Sequence, residues 1–499
     1  MAYAITQLCC TDASCVTACP VNCIHPTPDE PDFGTTDMLY VDPRTCIDCG
    51  ACAEACPVDA VFPAETLTGA LAEYPAINAE YFAGTEPAAP PEGSPLFHDW
   101  GPVRFDRVLP ADFPELDVAV VGTGPAGMYT VQDLLLHTTA HVTLYDRLPV
   151  TGGLVRFGVA PDHVDTKLIA ERFAGYASHH RLRLRLGVEV GRDVGVDELA
   201  ARHDAVIYAV GAPTARDLGL PGQDLAGSHA STTVVGWYNG HPEIADDAVD
   251  LDTARAVVIG TGNVALDVAR LLAADPDRLV GTAIGPAALE RLRTGAVREV
   301  VVLGRRGPEH AAWTRGELLG LLRRDDVDVV VDDHDPRVGA AIDAAGPGED
   351  LALLRDLPRV RLDAEPPAGG RRRVVLRFHS APERLDGDER VRSIRVGSGD
   401  GPVDLATGLV VRAIGHRGRP LAGLPFDGDA GTVPNTAGRV EGRAGTYVVG
   451  WIKRGPGGGI GTNRRDAAET VAALIEDGKN GVVGSRAGRR SVLRLLGRR

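Results

Sequence analysis

With 499 residues, 44% of them hydrophobic and 24% charged, the chain has an ordinary globular composition and is too long for one core, so about three domains are expected. A net charge of −16 argues against a nucleic-acid binder, and no apolar run approaches the roughly 20 residues that span a bilayer. There is no basic region followed by an apolar stretch at the N-terminus, so no secretory signal is expected, and nine cysteines, none beyond Cys56, suit a reducing cytoplasm better than a disulfide framework.

Two cysteine runs open the chain. Cys46-Ile-Asp-Cys49-Gly-Ala-Cys52-Ala-Glu-Ala-Cys56-Pro57 has the spacing of a bacterial iron–sulfur run, in which three thiolates hold one cluster and the fourth reaches a second. Zinc would use two separated Cys-x2-Cys pairs instead. Upstream, Cys9, Cys15 and Cys19-Pro20 keep the same frame, with Asp12 where the second cysteine would stand. Crossed ligation then assigns Cys19, Cys46, Cys49 and Cys52 to one four-iron cluster, and Cys9, Cys15 and Cys56 to the other. The last position of that second cluster falls to Asp12, or Asp12 is an ordinary turn residue before Ala13-Ser14. A carboxylate oxygen is harder than thiolate and matches cluster iron poorly, so this cluster is expected to be [3Fe-4S] or a labile [4Fe-4S]. Cys10 and Cys23 are expected as free thiols beside the clusters.

These runs resemble those of bacterial ferredoxins of the seven-iron type. Ala2-Tyr-Ala-Ile-Thr6 and Met38-Leu-Tyr-Val41 look like their paired strands, and Tyr74-Pro-Ala-Ile-Asn-Ala-Glu-Tyr81 is similar to their helical extension. The resemblance covers about the first eighty residues and implies an α+β two-cluster ferredoxin domain. Its one departure is the short spacing between Cys9 and Cys15.

From Pro63 to Pro114 the composition shifts to Ala, Pro, Glu and Gly, which reads as a semi-rigid linker that no helix runs through. Beyond it, apolar strands alternate with amphipathic helices, the pattern of α/β parallel sheets. The strand Leu116–Val121 enters Gly122-x-Gly124-x-x-Gly127, and a second strand ends at Asp146, a carboxylate placed for a ribose hydroxyl. Further on, the strand Arg255–Ile259 enters Gly260-x-Gly262-x-x-Ala265, and its successor ends in Arg305-Arg306 rather than an acid. Two guanidiniums there suit a 2′-phosphate, so this site is expected to prefer NADP(H), the bland alternative being a solvated turn. Hydride chemistry joined to iron–sulfur centres calls for FAD at the first site, because a flavin handles electrons in pairs and singly. The Gly-rich turn Gly455–Thr462 and Trp451 would sit on the flavin, unless Trp451 is a plain core aromatic. The insertion 275–297 has no assigned role. The basic stretch from Lys479 to Arg499 reads as a solvated end or a contact for an acidic partner.

Four long strings, Gly153–His163, Gly262–Asp267, Gly304–Pro308 and Gly450–Pro456, resemble the adrenodoxin-reductase-like ferredoxin–NADP reductases. The whole chain is similar to bacterial members with an N-terminal ferredoxin. The resemblance implies two Rossmann-like domains, the NADP domain inserted in the FAD domain. FAD contacts are implied at Ala126, Asp146, Leu154, Val190, Trp451, Gly458, Gly459 and Ile460. NADP contacts are implied at Arg216, Asn263, Val264, Ala265, Leu266, Arg305, Arg306 and Glu317. His163 would act near the flavin–nicotinamide contact. Two departures stand out: Gly320 replaces an acid that the family pairs with the histidine, and Gly152 replaces a bulky aromatic.

The expected organisation is ferredoxin over 1–62, its extension and linker over 63–114, FAD segments over 115–214 and 413–499, and the NADP domain over 215–412. The expected activity passes electrons between NADPH, FAD, the clusters and an external ferredoxin or a ferredoxin-dependent acceptor such as a cytochrome P450 system. Ferredoxin acids (Asp29, Glu30, Asp32, Asp37, Asp42, Asp48, Glu54, Asp59) are expected to dock on arginine-rich reductase faces. The rival readings are the electron-input subunit of a glutamate synthase and an iron–sulfur carrier whose reductase half only docks partners.

Overall fold

The computed structural model describes residues 2–86, 109–346, 349–367, 369–399 and 401–484. Its N-terminal part is a duplicated unit. Strand Tyr3–Ile5 pairs antiparallel with Val61–Pro63, and Ile24–His25 with Tyr40–Val41. The short helices Ser14–Ala18 and Ala51–Ala55 follow the two cysteine loops. Thr11, Ala13 and Asn22 take left-handed φ of 52°, 62° and 57°, and Asp48, Gly50 and Asp59 repeat them at 58°, 75° and 50°. The offset is the one that separates Cys9 from Cys46, so the altered first loop keeps the backbone of the second. Non-glycine residues pay about 1–2 kcal/mol each for this conformation.

Residues 63–86 are not a linker. Pro63 is a strand partner of Tyr3, and helix Tyr74–Tyr81 runs through the proline-rich region with Pro75 in its first turn. Proline is tolerated there because that N–H has no helical partner. Asn78 fixes this helix to the ferredoxin, its amide oxygen accepting from Ile5 N at 3.0 Å and Val41 N at 2.8 Å. The densest prolines, Pro87 to Pro95, lie outside the described residues.

Two seven-stranded sheets make up the rest. One runs Asn435–Thr436, Arg439–Val440, Thr446–Val448, Ala205–Tyr208, Asp117–Val121, His141–Asp146, Leu182–Leu186. The other runs Ser228–Ala230, Leu409–Arg412, Arg255–Ile259, Glu299–Leu303, Arg373–Arg377, Asp328–Asp332, Arg359–Val360. The second is parallel throughout, and in sequence it lies between the two parts of the first. Leu409–Arg412 belongs to this second sheet, so the chain returns to the first only after Arg412. A buried arginine–glutamate–arginine row fixes its register: Arg255, Glu299 and Arg373 are direct cross-strand partners, with Arg255 Nε 2.5 Å and Arg373 Nε 2.6 Å from the Glu299 carboxylate. The insertion forms a turn of 3-10 helix, Pro276–Leu279, and helix Pro286–Thr294, which packs on Ser231–Tyr238.

The N-terminal part and the two-sheet part share apolar cores. Leu8, Cys10, Cys15 and Val58 lie in one cluster with Ala126, Tyr129 and Ile169. Leu71, Tyr74 and Ile77 lie in another with Leu319 of helix Arg315–Leu322.

Candidate functional site

Each fingerprint glycine has its own geometry. A Cβ on Gly122, at φ +111°, would stand 2.4 Å from Ala209 O, and one on Gly127 would stand 1.9 Å from Gly122 O, whereas one on Gly124 would meet nothing within 4 Å. Only the middle glycine opens onto free space, which is where a pyrophosphate would approach the backbone. The second fingerprint repeats this: Gly260, at φ +126°, faces Ala413 O at 2.2 Å, while Gly262 meets only Ala312 O at 3.8 Å. Asp146 is half-buried, its Oδ2 accepting from Thr123 N at 2.8 Å and Thr123 Oγ1 at 2.6 Å, and its Oδ1 from Leu148 N at 2.8 Å.

The remaining residues expected at the flavin come from four segments. Ala126 lies against Gly450. Trp451 donates from Nε1 to Gly457 O at 3.0 Å, and its ring lies over His416 with centroids 5.9 Å apart. Gly458 and Gly459 are exposed, Ile460 is half-buried, and Leu154 is exposed. Val190 is buried beside Val121 and Tyr145. Gly152, at φ +114°, precedes the helix Gly153–Phe157 that carries Leu154.

At the second fingerprint a cleft of about 500 Å³ is lined by Arg216, Gly260, Thr261, Arg305, Arg306 and His310, among others. The side chains of Arg305 and Arg306 are exposed at its edge and make no hydrogen bond or ion pair among the described residues. Two cations with no internal counter-ion at the end of the second strand are suited to an external phosphate. Asn263 spends its amide on Thr314, accepting from its N at 2.7 Å and donating to its Oγ1 at 3.2 Å. Ala265 and Leu266 are wholly buried and Val264 is partly exposed, while Gly260 and Thr261, at the start of the turn, line the cleft.

His163 lies between the halves of the reductase. Its Nε2 is 3.7 Å from Glu317 Oε2 and 3.9 Å from Asp267 Oδ1. Arg270 Nη2 approaches the same nitrogen at 2.9 Å and also pairs with Asp162 and Asp267. A guanidinium only donates, so Nε2 accepts and the ring proton stands on Nδ1. Burial, and Glu317 beside it, hold the Asp267 carboxyl well above the usual carboxylate range. The histidine therefore has carboxylate neighbours even though position 320 is glycine. Asp267 and Arg270 were missed in the sequence; their spacing of three on helix Asn263–Ala273 places them on one face.

The cysteines lie close together: Cys10, Cys15, Cys19, Cys23 and Cys52 are buried in one cluster, with Cys9, Cys46 and Cys56 packed against it. Backbone N–H groups point at the sulfurs: Thr11 N is 3.4 Å from Cys9 Sγ, Cys23 N 3.4 Å from Cys19 Sγ, and Ala60 N 3.2 Å from Cys56 Sγ. Cys23 is not isolated; its Sγ is 3.4 Å from Cys19 Sγ, and its hydrogen bonding draws Cys19 and Cys46 each down to about 6. Burial instead pushes Cys9 up to about 11. Asp12 is exposed and accepts from Ser14 Oγ at 2.5 Å, while Cys10 is buried towards Tyr129, whose hydroxyl it influences. The converging thiols and inward N–H groups suit clusters, and the open middle glycines suit dinucleotides.

Two family models match: a 4Fe-4S dicluster domain over residues 8–60, and pyridine nucleotide-disulphide oxidoreductase over 116–280. A probable ferredoxin/ferredoxin–NADP reductase of Mycobacterium tuberculosis is 47% identical over 503 residues, covering 96% of this chain and 84% of that relative. The chain belongs to the adrenodoxin-reductase-like ferredoxin–NADP reductases, with a fused dicluster ferredoxin. The NADPH-ferredoxin reductase FprA of the same organism is 46% identical over 381 residues, covering 72% of this chain and 83% of the relative. The structure of FprA in complex with NADPH matches with a TM-score of 0.67 at 41% identity, over 76% of this chain and 89% of that one. The enzyme is thus a ferredoxin–NADP reductase. Among the described residues no helix is long and apolar enough to cross a membrane.

Proposed function

We propose that this reductase is self-contained: electrons pass between NADPH and its own two iron–sulfur centres, and on to or from an external one-electron partner, a ferredoxin or a ferredoxin-dependent system such as a cytochrome P450. FAD would be held by Gly122, Gly124, Gly127, Ala126, Asp146, Leu154, Val190, Trp451 and the turn Gly458–Ile460. NADP(H) would be held by Arg216, the Gly260–Leu266 turn, Arg305, Arg306 and Glu317. When bound, FAD supplies the conversion between hydride and single-electron chemistry. The chain's own part is to position the groups, to neutralise the 2′-phosphate with Arg305 and Arg306, and to hold the proton of His163 on Nδ1. Cys19, Cys46, Cys49 and Cys52 would ligate a [4Fe-4S] cluster; Cys9, Cys15 and Cys56, with Asp12 as the candidate fourth ligand, a [3Fe-4S] or labile [4Fe-4S] cluster. A cytoplasmic setting agrees with nine unpaired thiols.

The observation that carries this reading is a backbone contact between the halves. A Cβ on Gly461, next to the flavin turn, would stand 2.2 Å from Leu8 O and 2.7 Å from Cys9 O, so the first cysteine loop touches the turn itself. The test is reduction of cytochrome c by the purified holoprotein with NADPH and no added ferredoxin. Turnover at full rate is expected; an absolute requirement for added ferredoxin would contradict it. An input subunit of a larger complex would be slow with every soluble acceptor.

A further inference from the structure

Two cluster sites in one small domain need not stand in the same relation to the reductase, and here they do not. The loop of Cys9 lies against the reductase: Leu8 O and Cys9 O face Gly461, Gln7 O is 3.8 Å from a Cβ position on Gly459, and Arg465 Nη1 is 3.4 Å from Thr11 Oγ1. Cys56 packs against the apolar cluster that holds Cys10 and, from helix Pro125–His137, Tyr129. Asp59, three residues past Cys56, pairs with Arg172. The other site turns away. Cys49 is exposed, Ile47 is 57% exposed, and Gly50 is covered by the hydroxyl of Tyr3 from within the ferredoxin itself.

We infer that the site of Cys9, Cys15 and Cys56 is the inner one, seated on the flavin turn, and that the site of Cys19, Cys46, Cys49 and Cys52 is the outer one, meeting external partners at the Ile47–Cys49 loop. This ordering rests on the proposed function and adds a direction to it. It also gives the duplicated half-runs different tasks. The first loop, with its aspartate and its doubled cysteine, is the one covered by protein, and the second, with four regular cysteines, is the one open to solvent.

The test uses the holoprotein and reads spin relaxation rather than turnover. A dysprosium chelate, which stays in solvent, is added to the oxidised and the dithionite-reduced protein, and the EPR relaxation of each cluster signal is measured. Dithionite makes the result independent of whether NADPH reaches the clusters, so failure of the functional reading is seen separately. The signals are assigned with Cys49→Ser, which alters only the outer site. Relaxation of the outer signal should rise several-fold more than that of the inner. In the double variant Glu73→Arg, Glu80→Arg, which loosens the interface, the inner signal should gain accessibility and the outer should not change. Equal relaxation of both signals, a faster inner signal, or an inner signal indifferent to the double variant would overturn the assignment.

Discussion

Leu8 and Gly461 meet backbone to backbone, with the Leu8 carbonyl 2.2 Å from where a side chain on Gly461 would begin. Neither partner can swing aside, because both atoms are main chain. Ferredoxin docking in this enzyme therefore depends on a residue with no side chain. Gly461→Ala is expected to force the cysteine loop off the reductase. Reduction of the clusters by NADPH, followed by stopped-flow absorbance, should slow by at least about tenfold, the equivalent of about 1.4 kcal/mol. An unchanged rate would mean that the halves meet elsewhere.

The charged part of the same interface is smaller than the acidity of the ferredoxin suggests. Of the acids expected to dock, Asp59 pairs with Arg172, while Glu30 and Asp42 are held inside the ferredoxin by His25 and Arg44. Glu73, just before the helix Tyr74–Tyr81, and Glu80, on it, pair with Arg323 and Arg315. The Glu73 side chain is only 11% exposed, while Arg323 is 54% exposed, so the pair is screened on its arginine side and contributes less than a fully buried one. Arg323→Glu is expected to weaken docking, and the exchange Arg323→Glu with Glu73→Arg to restore most of it, read as the salt dependence of cluster reduction.

The two fingerprint glycines Gly124 and Gly127 should respond oppositely to the same change. Gly124→Ala places its methyl in open space, so the protein should fold with an unaltered circular dichroism spectrum and yet be isolated without FAD. Gly127→Ala drives a Cβ to 1.9 Å from Gly122 O, and overpacking of this kind costs about 1–3 kcal/mol or more. Its thermal midpoint should fall even with excess FAD.

Arg305→Ala with Arg306→Ala removes the cations at the edge of the cleft. Each charge-assisted hydrogen bond contributes about 1.5–3 kcal/mol, so with both lost KM for NADPH should rise about 100- to 10,000-fold while KM for NADH stays level. Equal loss for both nucleotides would place the arginines in a structural role.

Much of this was legible early because it is local. The glycine spacing, the strand ends and the cysteine runs each depend on residues close together in the sequence. What sequence did not carry was tertiary. Nothing local marks Glu73 and Glu80 as docking residues, since their arginines lie some 240 positions later. Asp267 and Arg270 look like an ordinary helix pair until His163 is packed against them. The helix Tyr74–Tyr81 is expected from the ferredoxin resemblance, whereas composition alone, dominated by the prolines that follow it, reads the same stretch as linker.

Lys167 ties the two nucleotide domains, its Nζ donating to Arg156 O and, at 2.8 Å, to Asn239 Oδ1. Burial, helped by Arg156, draws its amine from 10.5 down to about 8. Between those values the unfolded chain binds the proton and the folded one does not, so stability should rise with pH across that window and be flat below it. Lys167→Met should abolish its share of the rise, seen as a smaller increase in urea midpoint between pH 8 and 10.

The central claim is that one chain carries electrons from nicotinamide to its own iron–sulfur centres. It is tested most directly by adding NADPH anaerobically to the intact holoprotein while following flavin absorbance and cluster EPR together. Bleaching of the flavin with changes in the cluster signals, on the same time scale and independent of protein concentration, is the predicted result. Flavin bleaching with both clusters unchanged, or cluster reduction that accelerates with protein concentration, would contradict it.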